Sequence, residues 1–324
     1  MSFSNSRRRF IFNLGSLVAA SVLPAHKFAN ALEPGLYPPI DLSYFDKPIT
    51  PAPSEIRFGY AAITWGGNDL QAIKDVSEVG YRGIQLRASA FKEFGDKPKA
   101  LRALLAEHHL QFTALSGGGP RDDNYNEAEE VATQVRQTTF LRDAGGLYLQ
   151  MTDSARPKGR TPSAEDFKRL GRLLTEVGKR ATDMGIGLGY HNHMGSLGES
   201  PDEVDAIMNS SDPRYVRLLL DVAHYAQGGG DPAKAVRKYR DRLLFLHIKD
   251  VERLGPEQSS KSYRFVELGR GRVDLPAVFA ALKEIRFRGW AIVELDEVPD
   301  KSRTPKESAI ISKKYLEEKL AMKI

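Results

Sequence analysis

Short apolar runs alternate with amphipathic stretches along the chain from residue 56 onward. Each apolar run is brief and bounded by glycine or polar residues, which is typical of a buried strand. The amphipathic stretches carry their apolar residues on one helical face. In the stretch 164–184 these residues are Phe167, Leu170, Leu173, Leu174, Val177 and Ala181. The pattern predicts strands at residues 57–64, 83–87, 111–116, 146–151, 185–193, 216–222, 243–248 and 290–295.

The regular alternation of strand and helix predicts one α/β domain over residues 56–324. Pro201 and Pro232 stand where helices are expected to begin, because each follows a capping residue, Ser200 or Asp231. Eight strands, each followed by a helix, are the pattern of a (β/α)8 TIM barrel. A doubly wound open sheet is the alternative, but no Gly-x-Gly-x-x-Gly turn follows the first strand.

The first 31 residues predict a twin-arginine signal peptide rather than part of the fold. Arginines at positions 7–9 precede a mostly apolar run from residue 10 to 23, and Ala-Asn-Ala at 29–31 offers a small-residue cleavage site. A membrane anchor is the alternative, but the run is shorter than the roughly 20 residues that span a bilayer. We therefore expect an exported, periplasmic protein with no stable membrane span after cleavage.

Residues 32–55 predict an extended arm between the signal and the barrel. The segment is rich in proline, which removes backbone donors and blocks helix formation. The prolines are Pro34, Pro38, Pro39, Pro48, Pro51 and Pro53. We expect this arm to lie along the barrel surface and not to form a domain of its own.

Charge gives no indication of a nucleic-acid partner. The chain has 47 basic and 42 acidic residues and a net charge of +5. Residues 1–31 hold four of the basic residues and no acidic one, which leaves 43 basic against 42 acidic residues in the rest of the chain. A nearly neutral mature protein lacks the electrostatic surface that nucleic acid requires.

Four of the predicted strands end in polar or charged residues that a buried barrel wall would not contain. These ends read HNH at 191–193, DVAH at 221–224, HIKD at 247–250 and ELDE at 294–297. Side chains alternate along a strand, so His191 shares a face with His193, and His247 shares one with Lys249. Because functional groups of barrel enzymes collect at the carboxyl ends of the strands, these residues predict the site.

Asp221, His247 and Glu294 each close an apolar run, where a charged group is costly unless it is paired or binds a cation. The chain has no cysteine, so any metal must bind to nitrogen and oxygen. Two carboxylates with one or two imidazoles suit one divalent ion, such as Mn²⁺, Co²⁺, Zn²⁺ or Mg²⁺. Separate salt bridges are the alternative, but a similar depth in successive strands favours a single metal site.

Three segments resemble the xylose isomerase-like superfamily of TIM barrels, which includes sugar isomerases, ketose 3-epimerases, endonuclease IV and inosose (2-keto-myo-inositol) dehydratases. They are AAITW at 61–65 with ND at 68–69, YHNHMGS at 190–196, and GWAIVE at 289–294 ahead of a C-terminal helix that contains Tyr315. The resemblance extends over nearly all of residues 56–320. It is greatest to the inosose dehydratases.

The resemblance implies metal ligands at the ends of the fifth to eighth strands, namely His191, Asp221, His247 and Glu294. In the epimerases the fifth-strand ligand is a glutamate, which acts with the eighth-strand glutamate as a pair of acid/base groups. A histidine at this position disfavours epimerisation by two carboxylates. His193 and Glu199 remain alternative fourth ligands.

Further residues near the strand ends are candidates for catalysis and substrate contact. We expect Glu294, Lys249 and His224 to act in catalysis, with a nearby cation lowering the pKa of the lysine. A rim salt bridge from Lys249 to Asp296 or Glu297 is the alternative. The candidate substrate-binding residues are Trp65, His193, His224, Lys249, Arg270 and Arg272.

Enzymes of this superfamily act through an enediolate stabilised by a metal. The resemblance therefore implies a divalent-metal-dependent lyase or dehydratase acting on a keto-sugar, keto-glycoside or keto-inositol. An isomerase or epimerase with the same site is the first alternative, and a non-catalytic periplasmic sugar-binding barrel is the second. We expect a small carbohydrate as the partner and no nucleic acid, and the sequence is compatible with a homo-oligomer.

Overall fold

Ten strands are present in the described part of the chain, which in this computed structural model is residues 52–324 without 122–123, 153 and 256–261. The strands are β1 (Glu55–Ala61), β2 (Gly83–Leu86), β3 (Gln111–Ser116), β4 (Tyr148–Thr152), β5 (Gly187–His191), β6 (Val216–Asp221), β7 (Leu243–Ile248), β8 (Asp250–Arg253), β9 (Tyr263–Val266) and β10 (Arg288–Val293). Eight of them form a closed parallel barrel in the order β1-β10-β7-β6-β5-β4-β3-β2. This confirms the predicted (β/α)8 barrel.

Helices follow the barrel strands and cover the outside of the barrel. They are α1 (Asp69–Val79), α2 (Ala88–Phe94), α3 (Pro98–Glu107), α4 (Glu127–Asp143), α5 (Ala164–Asp183), α6 (Pro201–Ser210), α7 (Val222–Gln227), α8 (Pro232–Lys238), α9 (Leu275–Glu284) and α10 (Pro305–Lys314). Helices α6 and α8 begin at Pro201 and Pro232, as predicted, and the side chains of Ser200 and Asp231 cap them.

The largest difference from the predicted strands lies at the end of the first one. Strand β1 stops at Ala61, and Ala62–Trp65 form a 3-10 turn that Gly66 ends in the left-handed region with φ 62°. The predicted fifth strand was also too long, because Gly185 has φ 76° and β5 covers only Gly187–His191. A turn of this kind requires glycine, so these two boundaries follow from local backbone conformation.

Strands β8 and β9 form an antiparallel hairpin that the apolar pattern did not predict. It follows β7 directly, and Asp250 pairs with Val266 at its base. Side chains alternate along β9, so Tyr263 and Phe265 share one face of the hairpin. Their rings pack together with centroids 5.3 Å apart. This places two aromatic side chains near the carboxyl end of β7.

The predicted signal peptide, residues 1–31, lies outside the described residues, as does nearly all of the predicted arm. Of the arm, the structure describes residues 52–55, and Glu55 already belongs to β1. Within residues 52–324, apart from the short gaps given above, no helix is both long enough and apolar enough to cross a membrane. Export and signal cleavage stay predictions.

Helices α5 and α6 pack closely around Gly171. A Cβ atom at this position would lie 2.4 Å from the carbonyl oxygen of Ser210, the last residue of α6. Such a contact is far inside van der Waals distance, and its partner is backbone that cannot rotate away. The absence of a side chain at Gly171 therefore sets the spacing of the two helices.

We expect Gly171→Ala to destabilise the protein by about 1–3 kcal/mol, because the added methyl group forces the helices apart. In an unobstructed helix the same change stabilises by about 1 kcal/mol, so the sign is informative. Chemical denaturation measures the free energy of unfolding. Lys168→Ala, at an exposed position of the same helix, is the control and should change it little. A Gly171→Ala protein as stable as the parent would contradict this packing.

Candidate metal centre

Four buried side chains converge at the carboxyl end of the barrel. His191 ends β5, Asp221 ends β6, His247 lies one residue before the end of β7, and Glu294 follows β10. One nitrogen or oxygen atom from each lies within 4.8 Å of the others. Asp221 Oδ2 is 3.5 Å from His191 Nε2 and 3.6 Å from His247 Nδ1. The structure thus brings together the four residues that the family resemblance implied as ligands.

Several of these atoms lack the partner that a buried polar atom needs. His191 Nε2, Asp221 Oδ2 and His247 Nδ1 are buried and make no hydrogen bond. An unsatisfied buried polar atom costs about 1–3 kcal/mol, so three that face one point are unusual unless something binds there. Two nitrogen and two oxygen donors suit a divalent cation. The residues present therefore fit the metal that the sequence indicated.

The two carboxylate oxygens of Asp221 have different surroundings, because the backbone binds only one of them. Oδ1 caps helix α7, accepting from the amides of Ala223 at 2.9 Å and His224 at 2.8 Å. The side chain of Asn192 also fixes the main chain, accepting from Asp221 N at 3.0 Å and donating to Asp221 O at 3.3 Å. Because Oδ1 is occupied in this way, Oδ2 is directed toward the centre.

Two buried glutamines lie behind the histidines, and sequence reasoning missed both. His247 Nε2 is 2.9 Å from Gln85 Oε1, Gln85 Nε2 donates to Gln150 Oε1 at 2.7 Å, and Gln150 Nε2 is 3.1 Å from His191 Nδ1. We call Gln85 and Gln150 the glutamine pair. The local sequence shows only a glutamine inside each of two mainly apolar strands, β2 and β4, and does not indicate their partners.

Lys249 lies completely buried beside the four side chains. Its Nζ is 2.6 Å from Asp296 Oδ1 and 3.1 Å from Glu294 Oε1, and the Phe265 ring lies 3.9 Å from it. Burial alone would lower the pKa of Lys249, but the carboxylates of Asp296 and Glu294 outweigh it and raise this pKa. Lowering of this pKa by a bound cation stays a prediction. The ammonium of Lys249 is fixed by its contacts with Glu294 and Asp296, and the salt bridge to Asp296 is one of the alternatives that the sequence left open.

His224 lies behind the centre and supports His193. Its Nδ1 accepts from Met194 N at 3.1 Å, and its Nε2 is 3.5 Å from Lys249 Nζ. The ring of His193 packs against it with centroids 3.9 Å apart. Burial strongly lowers the pKa of His224. His224 is thus a neutral, enclosed imidazole, whereas His193 lies on the wall of the open cavity.

Burial and charge have opposite effects on the two central imidazoles. Burial lowers the pKa of His191 to about 4. Burial would also lower the pKa of His247, but Glu294 and Asp221 outweigh it and raise that pKa to about 9. The pKa of each of these two carboxyls is held well below its usual value despite burial, by the surrounding cations and imidazoles. The centre therefore carries two ionised carboxylates.

A polar cavity of about 130 Å³ opens above these side chains. His191, His193, Glu294 and Asp296 are among the residues of its wall. A larger cavity of about 700 Å³ lies between α2, the Ser116–Gly119 segment and α4, and shares Arg87 and Ser116 with the smaller one. The two cavities therefore adjoin each other at Arg87 and Ser116.

The loop that contains Arg270 and Arg272 is held by Asp250 and does not contribute to this space. Asp250 Oδ2 accepts from the amides of Gly269 at 3.0 Å and Gly271 at 2.9 Å. Arg272 instead donates to Gln227 Oε1 at 2.6 Å. Neither arginine lines the wall of either cavity. The structure does not support their assignment as substrate contacts.

Two other candidates also lie away from the centre. Trp65 is buried, its Nε1 donates to Asp75 Oδ2 at 2.9 Å, and it lines neither cavity, so it belongs to the core and not to a stacking surface. Glu199, the weaker alternative ligand, is paired with Arg156 at 3.6 Å and accepts from Gly195 N. These contacts make both residues structural.

Comparison with known proteins identifies the family. A family model described as a xylose isomerase-like TIM barrel matches residues 73–318. The chain belongs to the xylose isomerase-like TIM-barrel family. This confirms the family that the strand-end motifs indicated.

Within the xylose isomerase-like family, this chain is similar to inosose dehydratases. That of Lacticaseibacillus casei is 28% identical over 298 residues, which cover 81% of this chain and 96% of that protein. That of Clostridium tetani is 27% identical over 302 residues, which cover 83% and 98%. The structure of the IOLI protein with a bound zinc atom matches with a TM-score of 0.69 at 21% identity, over 81% of this chain and 97% of that one, and so shares its fold.

We expect the metal-free protein to lose stability as the pH rises from about 6 to about 9. The pKa of His247 is raised from 6.5 to about 9 in the folded state, so protonation stabilises the fold below pH 6.5, and this is lost as the pH passes 9. The change is on the order of 3 kcal/mol. Denaturation of chelated protein measures it, and His247→Gln should remove the difference. An equal slope in both proteins would rule out this origin.

Proposed function

We propose that this protein is a divalent-metal-dependent dehydratase that acts on a keto-sugar. The observation that carries the proposal is the group of unpartnered donor atoms of His191, Asp221 and His247, beside Glu294, at the carboxyl end of the barrel. The similarity to inosose dehydratases over most of the chain supports the same reaction class. A bound divalent cation supplies a Lewis acid that polarises a substrate carbonyl.

The residues at the cavity suggest how the proton is removed. We assign this step to His193, which lines the smaller cavity and whose Nδ1 donates to Met194 O at 2.7 Å, so that Nε2 is the ring nitrogen that takes up the proton. The proton leaves the carbon beside the carbonyl, the C–H electrons form the C=C bond of an enolate, and the carbonyl electron pair moves onto its oxygen. When the carbonyl forms again, the electrons of the enolate C=C bond form the C=C bond of the enone and the bond to the β-oxygen breaks. That oxygen takes up the proton that His193 removed and departs as water or an alcohol.

In this proposal Lys249 and Glu294 contribute to charge stabilisation and do not remove the substrate proton. The Lys249 ammonium is held by Glu294 and Asp296, and it stabilises the negative charge that develops on the substrate oxygen. His224 positions the ring of His193 from behind. A base is therefore needed at the cavity wall, where His193 lies.

The size of the adjoining space favours a substrate with more than one ring. The cavity of about 700 Å³ is large enough for a sugar or aglycone beyond the ring at the centre. Its wall includes Arg87, Ser89 and the backbone of the segment 116–119, groups that can bond to hydroxyls. We therefore favour a keto-glycoside over free inosose as the substrate.

The reaction is tested by incubating metal-loaded protein with inosose, a 3-keto-glucoside and ketohexoses in D₂O. We expect an absorbing enone product and release of water or alcohol. Glu294→Gln should lower turnover by about 10²-fold or more, because it removes a carboxylate that faces both Lys249 and the metal position. Deuterium entering recovered sugar without enone would instead favour the isomerase or epimerase. Binding that survives chelation, without proton exchange, would favour a sugar-binding barrel.

The substrate class has its own test at Ala88, an exposed residue that lines the larger cavity. We expect Ala88→Trp to fill this space and raise the KM for a 3-keto-glucoside about tenfold, equivalent to about 1.4 kcal/mol. The KM for inosose should not change. Lys92→Trp places the same indole side chain on helix α2 outside the cavity wall and is the control. An equal effect of Ala88→Trp on both substrates would exclude a second subsite here.

A further inference from the structure

The glutamine pair joins the outer nitrogen atoms of the two central imidazoles by hydrogen bonds. The contacts run from His247 Nε2 through Gln85 and Gln150 to His191 Nδ1, with lengths of 2.9, 2.7 and 3.1 Å. Both glutamines are almost fully buried, at 1% and 3% exposure. Both side chains also line the smaller cavity, where their amides are bonded to each other and to the two rings.

A chain of two amides has a direction. Each side-chain amide accepts through its oxygen and donates through its nitrogen, so a pair that accepts at one end must donate at the other. Here Gln85 accepts from His247 Nε2–H, and Gln150 donates to His191 Nδ1. If both amides were turned over, the accepting end and the donating end would exchange places, but one end would still accept and the other would still donate.

This direction decides which imidazole can face the centre with a lone pair. A histidine that binds a metal donates its other ring N–H to an outer partner. His247 meets this condition, since its Nε2–H is donated to Gln85, and its Nδ1 faces the centre and would present a lone pair there once its proton is displaced. His191 does not, because its Nδ1 accepts and its Nε2 therefore carries the proton. That Nε2 lies 3.5 Å from Asp221 Oδ2.

Ligation by both histidines would break the chain between the glutamines. Each glutamine would have to accept from its own histidine, which turns the two amide nitrogens toward each other across the 2.7 Å contact. Two facing amide donors cannot bond to each other, and a buried donor without an acceptor costs about 1–3 kcal/mol. The pair thus opposes a second imidazole ligand.

We propose that the glutamine pair admits only one imidazole to the metal, so that His247, Asp221 and Glu294 bind it while His191 acts as an N–H donor. His191 also lines the smaller cavity, so it can donate to a substrate oxygen as well as to Asp221. Gln85 and Gln150 are positioning residues that set the proton on each ring. The inference rests on the metal-binding part of the proposed function and not on the reaction.

The tautomer can be read without metal or substrate. Long-range ¹H–¹⁵N NMR of chelated protein should show His191 protonated on Nε2 and bare on Nδ1. His191→Gln identifies its signals by their loss. A proton on His191 Nδ1 would overturn the proposal. If the tautomer is as expected but no enone forms from any keto-sugar, the proposed reaction fails while this inference stands.

Gln150→Glu should switch the arrangement. Its carboxylate accepts both from Gln85 Nε2 and from His191 Nδ1–H, which frees His191 Nε2 to bind. X-ray absorption of zinc-loaded protein should show one imidazole ligand in the parent and two in Gln150→Glu. Zinc affinity should fall less than tenfold in His191→Gln and more than 100-fold in His247→Gln. Two imidazoles in the parent, or equal losses in the two histidine variants, would contradict the proposal.

Discussion

The burial of two ionised carboxylates, Asp221 and Glu294, is the constraint on which this end of the barrel depends. A buried charge is tolerated only where partners replace the water it has lost. One oxygen of Asp221 accepts hydrogen bonds from two helix amides, and Glu294 accepts one from the ammonium of Lys249. These contacts still leave Asp221 Oδ2 buried without a hydrogen-bond partner and directed toward the centre rather than toward solvent. A divalent cation suits this remaining negative charge, which explains why the site resembles a metal centre more than a set of salt bridges.

The buried ammonium of Lys249 is as important as the carboxylates. Lys249 is shared between Glu294, Asp296 and the Phe265 ring, so it cannot leave without exposing all of them. Its charge is fixed in place before any substrate arrives, and a fixed charge needs no rearrangement during a reaction. Against the effect of burial, the same contacts with carboxylates raise the pKa of Lys249, so the lysine stays protonated and is a poor base. Its fixed charge and its inability to accept a proton therefore have the same cause.

The fold and the charged part of the site could be predicted because both have strong local signals. Asp221, His247 and Glu294 each interrupt an apolar run, and a charge in such a place is rare without a reason. The glutamine pair could not be predicted, since a glutamine in a strand is ordinary and its contacts join residues 65 and 162 positions apart. The positions of Arg270 and Trp65 outside the walls of both cavities could not be predicted for a related reason. Their surroundings depend on Asp250 and Asp75, whose contacts no local pattern shows.

The position of Glu294 has a consequence for the order in which the protein is assembled. Glu294 follows β10, and β10 closes the barrel by pairing with β1, the first strand of the described chain. Asp221 and His247 lie on strands that pair directly with each other and can come together earlier. Strand β10 also pairs with β7, so the four positions lie on or directly after the consecutive neighbours β5, β6, β7 and β10, and the donor set is complete once β10 lies against β7. An ion held by all of these residues would fasten the last strand to the rest of the sheet, and its retention would report that this strand is in place.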